Sequence, residues 1–162
     1  MLFDFAKIPV SQAYKLVVSA VVPRPVAWVV SQDRDGVLNA APYSFFNAFS
    51  DNPVVVAIGC GPKPDKGIKD TLSNIESTGE FVVNLVSAPL AEAMNVTAVD
   101  FDPSVNEIAE AGLTTAPSTH VKVPRIAESP GALECKIFQF VPVGQHTIVM
   151  GRVVALHVAD DC

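Results

Sequence analysis

Charge is scarce in this chain. Asp, Glu, Lys and Arg make up 17% of its 162 residues, against about 25% in an average soluble domain. The shortfall points to surface hidden in an oligomer, because apolar patches of soluble proteins are usually covered; a compact monomer with a large core is the other reading. Of the charge present, acid exceeds base, for a net charge of −6. That excludes nucleic acid as a generic partner, since a phosphate backbone demands a basic surface. One small phosphate-bearing ligand needs only a few local donors and is not excluded. Cysteine is sparse too: Cys60, Cys135 and Cys162, with no CxxC and no Cys/His spacing. No disulfide framework or metal site follows from such a set, and a reducing cytoplasm suits it. A clean run of the ~20 apolar residues that a membrane span needs is also missing; Pro23, Arg24 and Pro25 interrupt the apolar stretch 16–30. The N-terminus lacks the basic, apolar and cleavage regions of a targeting segment, so a soluble protein is expected. Without GxGxxG between strand and helix there is no Rossmann site, and Ser31 has no nucleophile elbow, which removes the serine hydrolases.

What is present is a hydrophobic share of 49%, enough for the core of one domain spanning 1–162. Residues 11–18 read as a short helix capped by Ser11. Pro23 and Pro25 force extended backbone, and the β-branched and aromatic stretch 26–31 reads as a strand. Asp35-Gly36 is a turn dipeptide that sends Val37 onward back antiparallel. The apolar run 53–59 predicts a strand buried on both faces, followed by a loop over 59–67. Ile68, Leu72 and Ile75 share one face of a helix over 68–77, which Gly79 stops. A strand over 80–86 and a helix over 90–96 come next. Residues 99–111 are acidic and irregular with one helical turn at 105–111, and 113–128 hold short β-like pieces. A last hairpin pairs 132–141 with 147–158 around a turn at 142–145. Six or seven strands joined mostly by short turns predict a mainly β fold, an antiparallel β-barrel with inserted helices.

Three places carry groups for ligand chemistry. Lys69-Asp70-Thr71 opens the helix after a Gly-containing loop. A helix N-terminus exposes free N–H groups, so these residues either seat a phosphate or merely cap the helix with Lys69 in solvent. Asn39 to Phe46 combines small residues, which let a ligand approach the backbone, with donors at Asn39, Tyr43 and Ser44. The other reading is a barrel strand, and at least one of Phe45 and Phe46 is expected to face the core. Arg24, held between two prolines, suits a phosphate or carboxylate, or else a surface salt bridge. His146, at the hairpin turn, either contacts a ligand or is simply exposed. His120 and His157 have no evident partners and are read as structural, and Cys135 as a small buried apolar residue.

The block from Pro23-Arg24-Pro25-Val26-Ala27-Trp28 through Asp35-Gly36 to Asn39-Ala40-Ala41-Pro42-Tyr43-Ser44-Phe45-Phe46 closely resembles the signature of the flavin reductase-like proteins, the FMN-binding split-barrel family. The resemblance continues at Lys69-Asp70-Thr71, at Asn74-Ile75, at Thr78-Gly79-Glu80-Phe81-Val82-Val83-Asn84-Leu85, at Ala111-Gly112-Leu113-Thr114, at Pro124-Arg125-Ile126 with Glu128-Ser129-Pro130, at Leu133-Glu134-Cys135 and at Gly151-Arg152-Val153-Val154. It is nearest to the branch holding the reductase components of two-component monooxygenases and the flavoredoxins. It implies a Greek-key split barrel that forms a homodimer and binds FMN near the dimer interface. Ser44, Lys69 and Thr71, with Arg24 a weaker candidate, would hold the flavin phosphate. Asn39, Ala41, Pro42 and Tyr43 would lie along the ring or the ribityl chain, and His146 would touch the nicotinamide of NAD(P)H. Gln145 stands where several flavin reductases carry Asp before that histidine. The implied activity is NAD(P)H:flavin reduction for a partner such as an oxygenase, with no catalytic side chain required. A flavoredoxin-like FMN electron carrier without NAD(P)H turnover is the alternative. Relatives in this branch often run on past the last barrel strand, whereas this chain stops at Asp160-Asp161-Cys162, which implies that part of a dimer contact or cofactor lid is missing.

Overall fold

A computed structural model describes residues 1–63, 67–102 and 104–160. Cys162, the chain end at Asp161 and residues 64–66 of the expected loop lie outside the described residues.

The first hairpin forms where the Asp-Gly turn predicts it. Strand β1 (Ala27–Gln32) pairs antiparallel with β2 (Leu38–Tyr43). Gly36 takes the positive φ of 88° that the turn requires. A second hairpin follows at once, β3 (Phe46–Asp51) with β4 (Val54–Cys60). Helix α2 (Asp70–Thr78) leads into β5 (Glu80–Asn84), with Gly79 in the left-handed region at φ 74° as its C-cap. The helix begins later than the apolar spacing suggests, so Ile68 lies outside it and is exposed. Leu72 and Ile75 are the apolar residues that it buries, beside Thr71 and Asn74.

The middle of the chain covers one face of the sheet. It holds a short helix α3 (Ala91–Val96), the single turn α4 (Glu107–Glu110) and two short strands, β6 (Thr115–Ala116) and β7 (Arg125–Ile126). Two long strands follow, β8 (Gly131–Val143) and β9 (His146–Val158).

The seven-stranded antiparallel sheet runs β2-β1-β5-β8-β9-β4-β3. Its two edge strands are consecutive in sequence, joined only by Ser44 and Phe45. The sheet must therefore curl until its edges approach, and Tyr43 of β2 shares one buried cluster with Val56 and Ile58 of β4. This is the barrel that the short connections predict.

Side chains alternate along β1 into two cores. Ala27 and Val29 join Tyr43, Ile58, Ile75 and Phe81 on one face; Trp28 and Val30 join Ile108, Val123 and Ile126 on the other. The second face is sealed by the middle segment, to which Trp28 Nε1 donates through Thr97 Oγ1 at 2.9 Å.

Helix α1 (Val10–Ala20) differs from its expected form. It starts at Val10 behind Pro9, whose carbonyl accepts from Gln12 and Ala13, so Ser11 is inside the helix and caps nothing. None of its residues is buried. It is held by Arg24, whose Nη1 donates to the carbonyls of Val18 (2.6 Å) and Val21 (2.7 Å). Strand β3 has no counterpart in the sequence reading; its residues are almost all exposed and carry no alternation of apolar side chains. Among the described residues no helix is long and apolar enough to cross a membrane.

Candidate cofactor site

The end of β2 and the start of α2 meet at one point, and cavities open on both sides of it. One, of about 80 Å³, is lined by Asn39, Ala41, Pro42, Tyr43, Lys69 and Thr71 together with Glu107 and the segment 97–101. The other, of about 280 Å³, is lined by Pro42, Tyr43, Ser44, Lys69 and His146, with Tyr14, Phe45 and Gly61. Pro42, Tyr43 and Lys69 form the wall between them. Every residue singled out for a flavin except Arg24 thus lines one of two adjoining spaces. Arg24 sits beside them: its Nε donates to Ser44 Oγ at 3.3 Å while the rest of its guanidinium secures α1.

Helix α2 makes the cationic end of the site. Its N-cap, Lys69, has extended backbone and gives no side-chain cap, so the first N–H groups are left for another acceptor. The Lys69 ammonium lies 5.8 Å from the centre of the Tyr43 ring and, among the described residues, has no carboxylate partner. Asp70 does not neutralise it, because Lys63 takes that carboxylate at 3.0 Å.

Thr71 and Asn39 are turned inward. Thr71 is 1% exposed, and its Oγ1 lies 2.8 Å from the Asn39 side-chain amide. The amide satisfies its neighbours when Oδ1 faces Thr71 and Nδ2 donates to Glu107 Oε1 at 3.2 Å. Glu107 Oε2 also accepts from the Ala40 amide at 3.1 Å. Burial raises the Glu107 carboxyl above its ordinary range, against the opposing pull of the amides of Glu107 and Ala40. Glu107 escapes a reading of the sequence because it stands in an acidic stretch that looks solvated. Only the fold brings it to β2.

Tyr43 and Cys60 lie beneath the wall. The Tyr43 hydroxyl is buried without a hydrogen-bond partner among the described residues, and burial pushes the phenol far up. Burial likewise pushes the Cys60 thiol up to about 12, so it is a packing residue and not a nucleophile. At the open side, His146 is exposed and its ring covers Gly61. A Cβ built on Gly61 would stand 2.9 Å from His146 Nε2, so glycine is what lets the ring lie there.

The donor set fits a flat ligand that carries a phosphate. Helix amides without a side-chain cap and an ammonium with no carboxylate partner among the described residues suit the anion, and small residues along β2 open the backbone to a planar group. A lone buried phenol offers one more polar contact.

Away from this site, His157 has a partner that its sequence setting conceals. Its Nε2 lies 2.6 Å from Glu134 Oε1, and the wholly buried Glu134 carboxylate also accepts from the amides of Thr119 and His120. Ser31 is buried and meets Asn74 Nδ2 at 3.3 Å, which is a packing role. Cys135 is buried as expected.

The flavin reductase like domain matches residues 19–162. A protein of Aquifex aeolicus is 45% identical over 91% of this chain and 75% of its own length. Among solved structures, nitrilotriacetate monooxygenase component B from Bacillus cereus is similar with a TM-score of 0.95 and 34% identity, over 99% of this chain and 82% of that one. The 2-nitrobenzoate 2-nitroreductase of Pseudomonas fluorescens is similar with a TM-score of 0.89 and 34% identity, over 99% and 78%.

Proposed function

The chain belongs to the flavin reductase like family, and from that premise we propose that it is an NAD(P)H:flavin oxidoreductase that uses FMN. The observation that carries the reading is the N-terminus of α2, without a side-chain cap, and the Lys69 ammonium, without a carboxylate partner among the described residues, facing the small residues of β2. Lys69 and the first amides of α2 would hold the phosphate, with Ser44 on the adjoining wall. Asn39, Ala41, Pro42 and Tyr43 would line the ring or ribityl chain. Thr71 would contribute through its backbone and the polarity of its hydroxyl. His146 would stand at the open side, where a nicotinamide has access. Arg24 would act through Ser44, whose hydroxyl it holds.

When bound, the flavin supplies the hydride and electron chemistry. The protein's part is to bind, orient and shield. Lys69 and the helix amides would neutralise the phosphate, while buried Tyr43 and Cys60 back the wall. No side-chain acid or base is needed.

Similarity to a protein named as one component of a monooxygenase supports an oxygenase partner that receives reduced flavin. The exposed apolar face of α1 and β3 supports a homodimer. The reduced, buried thiols of Cys60 and Cys135 suit the cytoplasm, and one domain is the simplest organisation of the single sheet. One observation favours a second reading: Gln145 stands where Asp precedes the nicotinamide-contacting histidine in several flavin reductases, which suits an FMN electron carrier.

The test is an absorbance titration with FMN, followed by anaerobic mixing with NADH and with NADPH. Saturable binding and bleaching of the flavin band is the expected result. Binding without bleaching makes the chain a carrier, and no binding overturns both readings.

A further inference from the structure

We propose that Glu107 is a positioning residue of the cofactor cavity, setting the direction in which Asn39 and Thr71 present their hydrogen bonds to the ligand. The proposal rests on the flavin reading above.

Asn106 brings it there. Its side chain caps α4, accepting from Ile108 N at 3.1 Å, and so sets Glu107 in the first turn against β2. Glu107 is 8% exposed and lines the same cavity as Lys69.

One of its oxygens is committed by the backbone. The Ala40 N–H can only donate, so Oε2 must accept. The other oxygen faces the Asn39 amide. An ionised carboxylate has no proton to give, so it takes Nδ2–H and turns Oδ1 toward Thr71. The Thr71 hydroxyl then donates to Asn39, and only its lone pairs remain for the cavity.

Protonation reverses this chain of bonds. The neutral carboxyl keeps its acceptor on Ala40 and presents O–H to Asn39. The Asn39 amide turns over, Nδ2 donates to Thr71, and the Thr71 proton is released toward the cavity. Burial favours the neutral form of Glu107. The charged groups around it are Asp70, paired with Lys63 at 3.0 Å, and Lys69 and Asp100 on the cavity wall. Glu107→Gln locks the reversed arrangement at any pH, because its carbonyl is held by Ala40 and its NH₂ faces Asn39.

The experiment is riboflavin binding by fluorescence quenching, for the unaltered chain and for Glu107→Gln, from about pH 8 down to the ordinary carboxyl value of 4.5, above which a raised carboxyl takes up its proton. Riboflavin carries no phosphate, so its own ionisation does not enter. FMN is titrated at the upper pH as a control, and the melting temperature of the variant is recorded. The expected result is a Kd that shifts about tenfold, the size of one hydrogen bond, as the unaltered chain is acidified. Glu107→Gln should already show the low-pH value at the upper pH and stay flat. Equal affinities at both ends overturn the proposal, as does a variant that binds normally but melts early, which would make Glu107 a structural prop. If Glu107→Gln does not fold, a flat profile in the unaltered chain overturns it alone. Absence of both riboflavin and FMN binding to the unaltered chain overturns the flavin reading instead.

Discussion

Lys69 is where a single side chain should matter most to the ligand. Its ammonium has no carboxylate partner among the described residues, so Lys69→Ala leaves the fold intact and removes one charge-assisted contact. Such contacts contribute about 1.5–3 kcal/mol. FMN affinity should fall about tenfold to hundredfold, while riboflavin affinity barely changes. Equal losses for both flavins would move the phosphate elsewhere. Glu134 should dominate acid sensitivity. Burial pulls its carboxyl up, but the bonds from His157, Thr119 and His120 outweigh it and bring the group from 4.5 to about 2. A depressed native value means stability that is present at neutral pH and lost as pH falls from about 4.5 to about 2, some 3 kcal/mol in all. Circular dichroism against pH should show a transition there that is absent in Glu134→Gln, whose neutral-pH stability is already lower.

Among the glycines of the strands, Gly151 on β9 has the least room, facing Phe81 of β5. A Cβ on Gly151 would stand 2.3 Å from Phe81 Cζ, inside the barrel core. Gly151→Ala should cost about 1–3 kcal/mol or more through displaced packing, read as a lower melting temperature. Gly151→Ala with Phe81→Leu should recover part of it. Elements of this kind were legible wherever local chemistry dictates them. Asp35-Gly36 announces its turn, Gly79 ends its helix, and the valines of β4 announce a strand. Strand β3 was not legible, because Asn47 to Asp51 is exposed on the rim and carries no alternating pattern, while only Phe46 packs against the core. The site was legible on β2 and α2, where small residues and a helix start lie in order. Glu107 was not, since 67 positions separate it from Ala40, and neither stretch hints at the other. His157 and Glu134 were hidden for a related reason: they do not stand opposite one another in the hairpin, His157 facing Ala132 and Glu134 facing Ala155, and meet only on the diagonal.

Taken as one body, the molecule leaves Tyr14 and Val17 of α1 and Phe49 of β3 exposed, in a chain already short of charge. Phe49 is 66% exposed, and an apolar groove of about 380 Å³ runs from it to Val17 and Val21. Light scattering should find a dimer, and Phe49→Asp should shift it toward monomer with the barrel still folded. A monomeric parent would place the reason for the low charge in the core alone. The order of the sheet has a consequence for synthesis. The strands that hold its middle, β8 and β9, are the last in chain order, while β1, β2, β3, β4 and β5 come first. As the chain leaves the ribosome, β5 and β4 emerge with open edges and no neighbour to zip them together. Two half-sheets must wait, with valine-rich edges free to pair wrongly, until the final hairpin arrives and locks them in one step. Chaperone dependence during translation, and slow refolding from denaturant, are what such a late keystone brings.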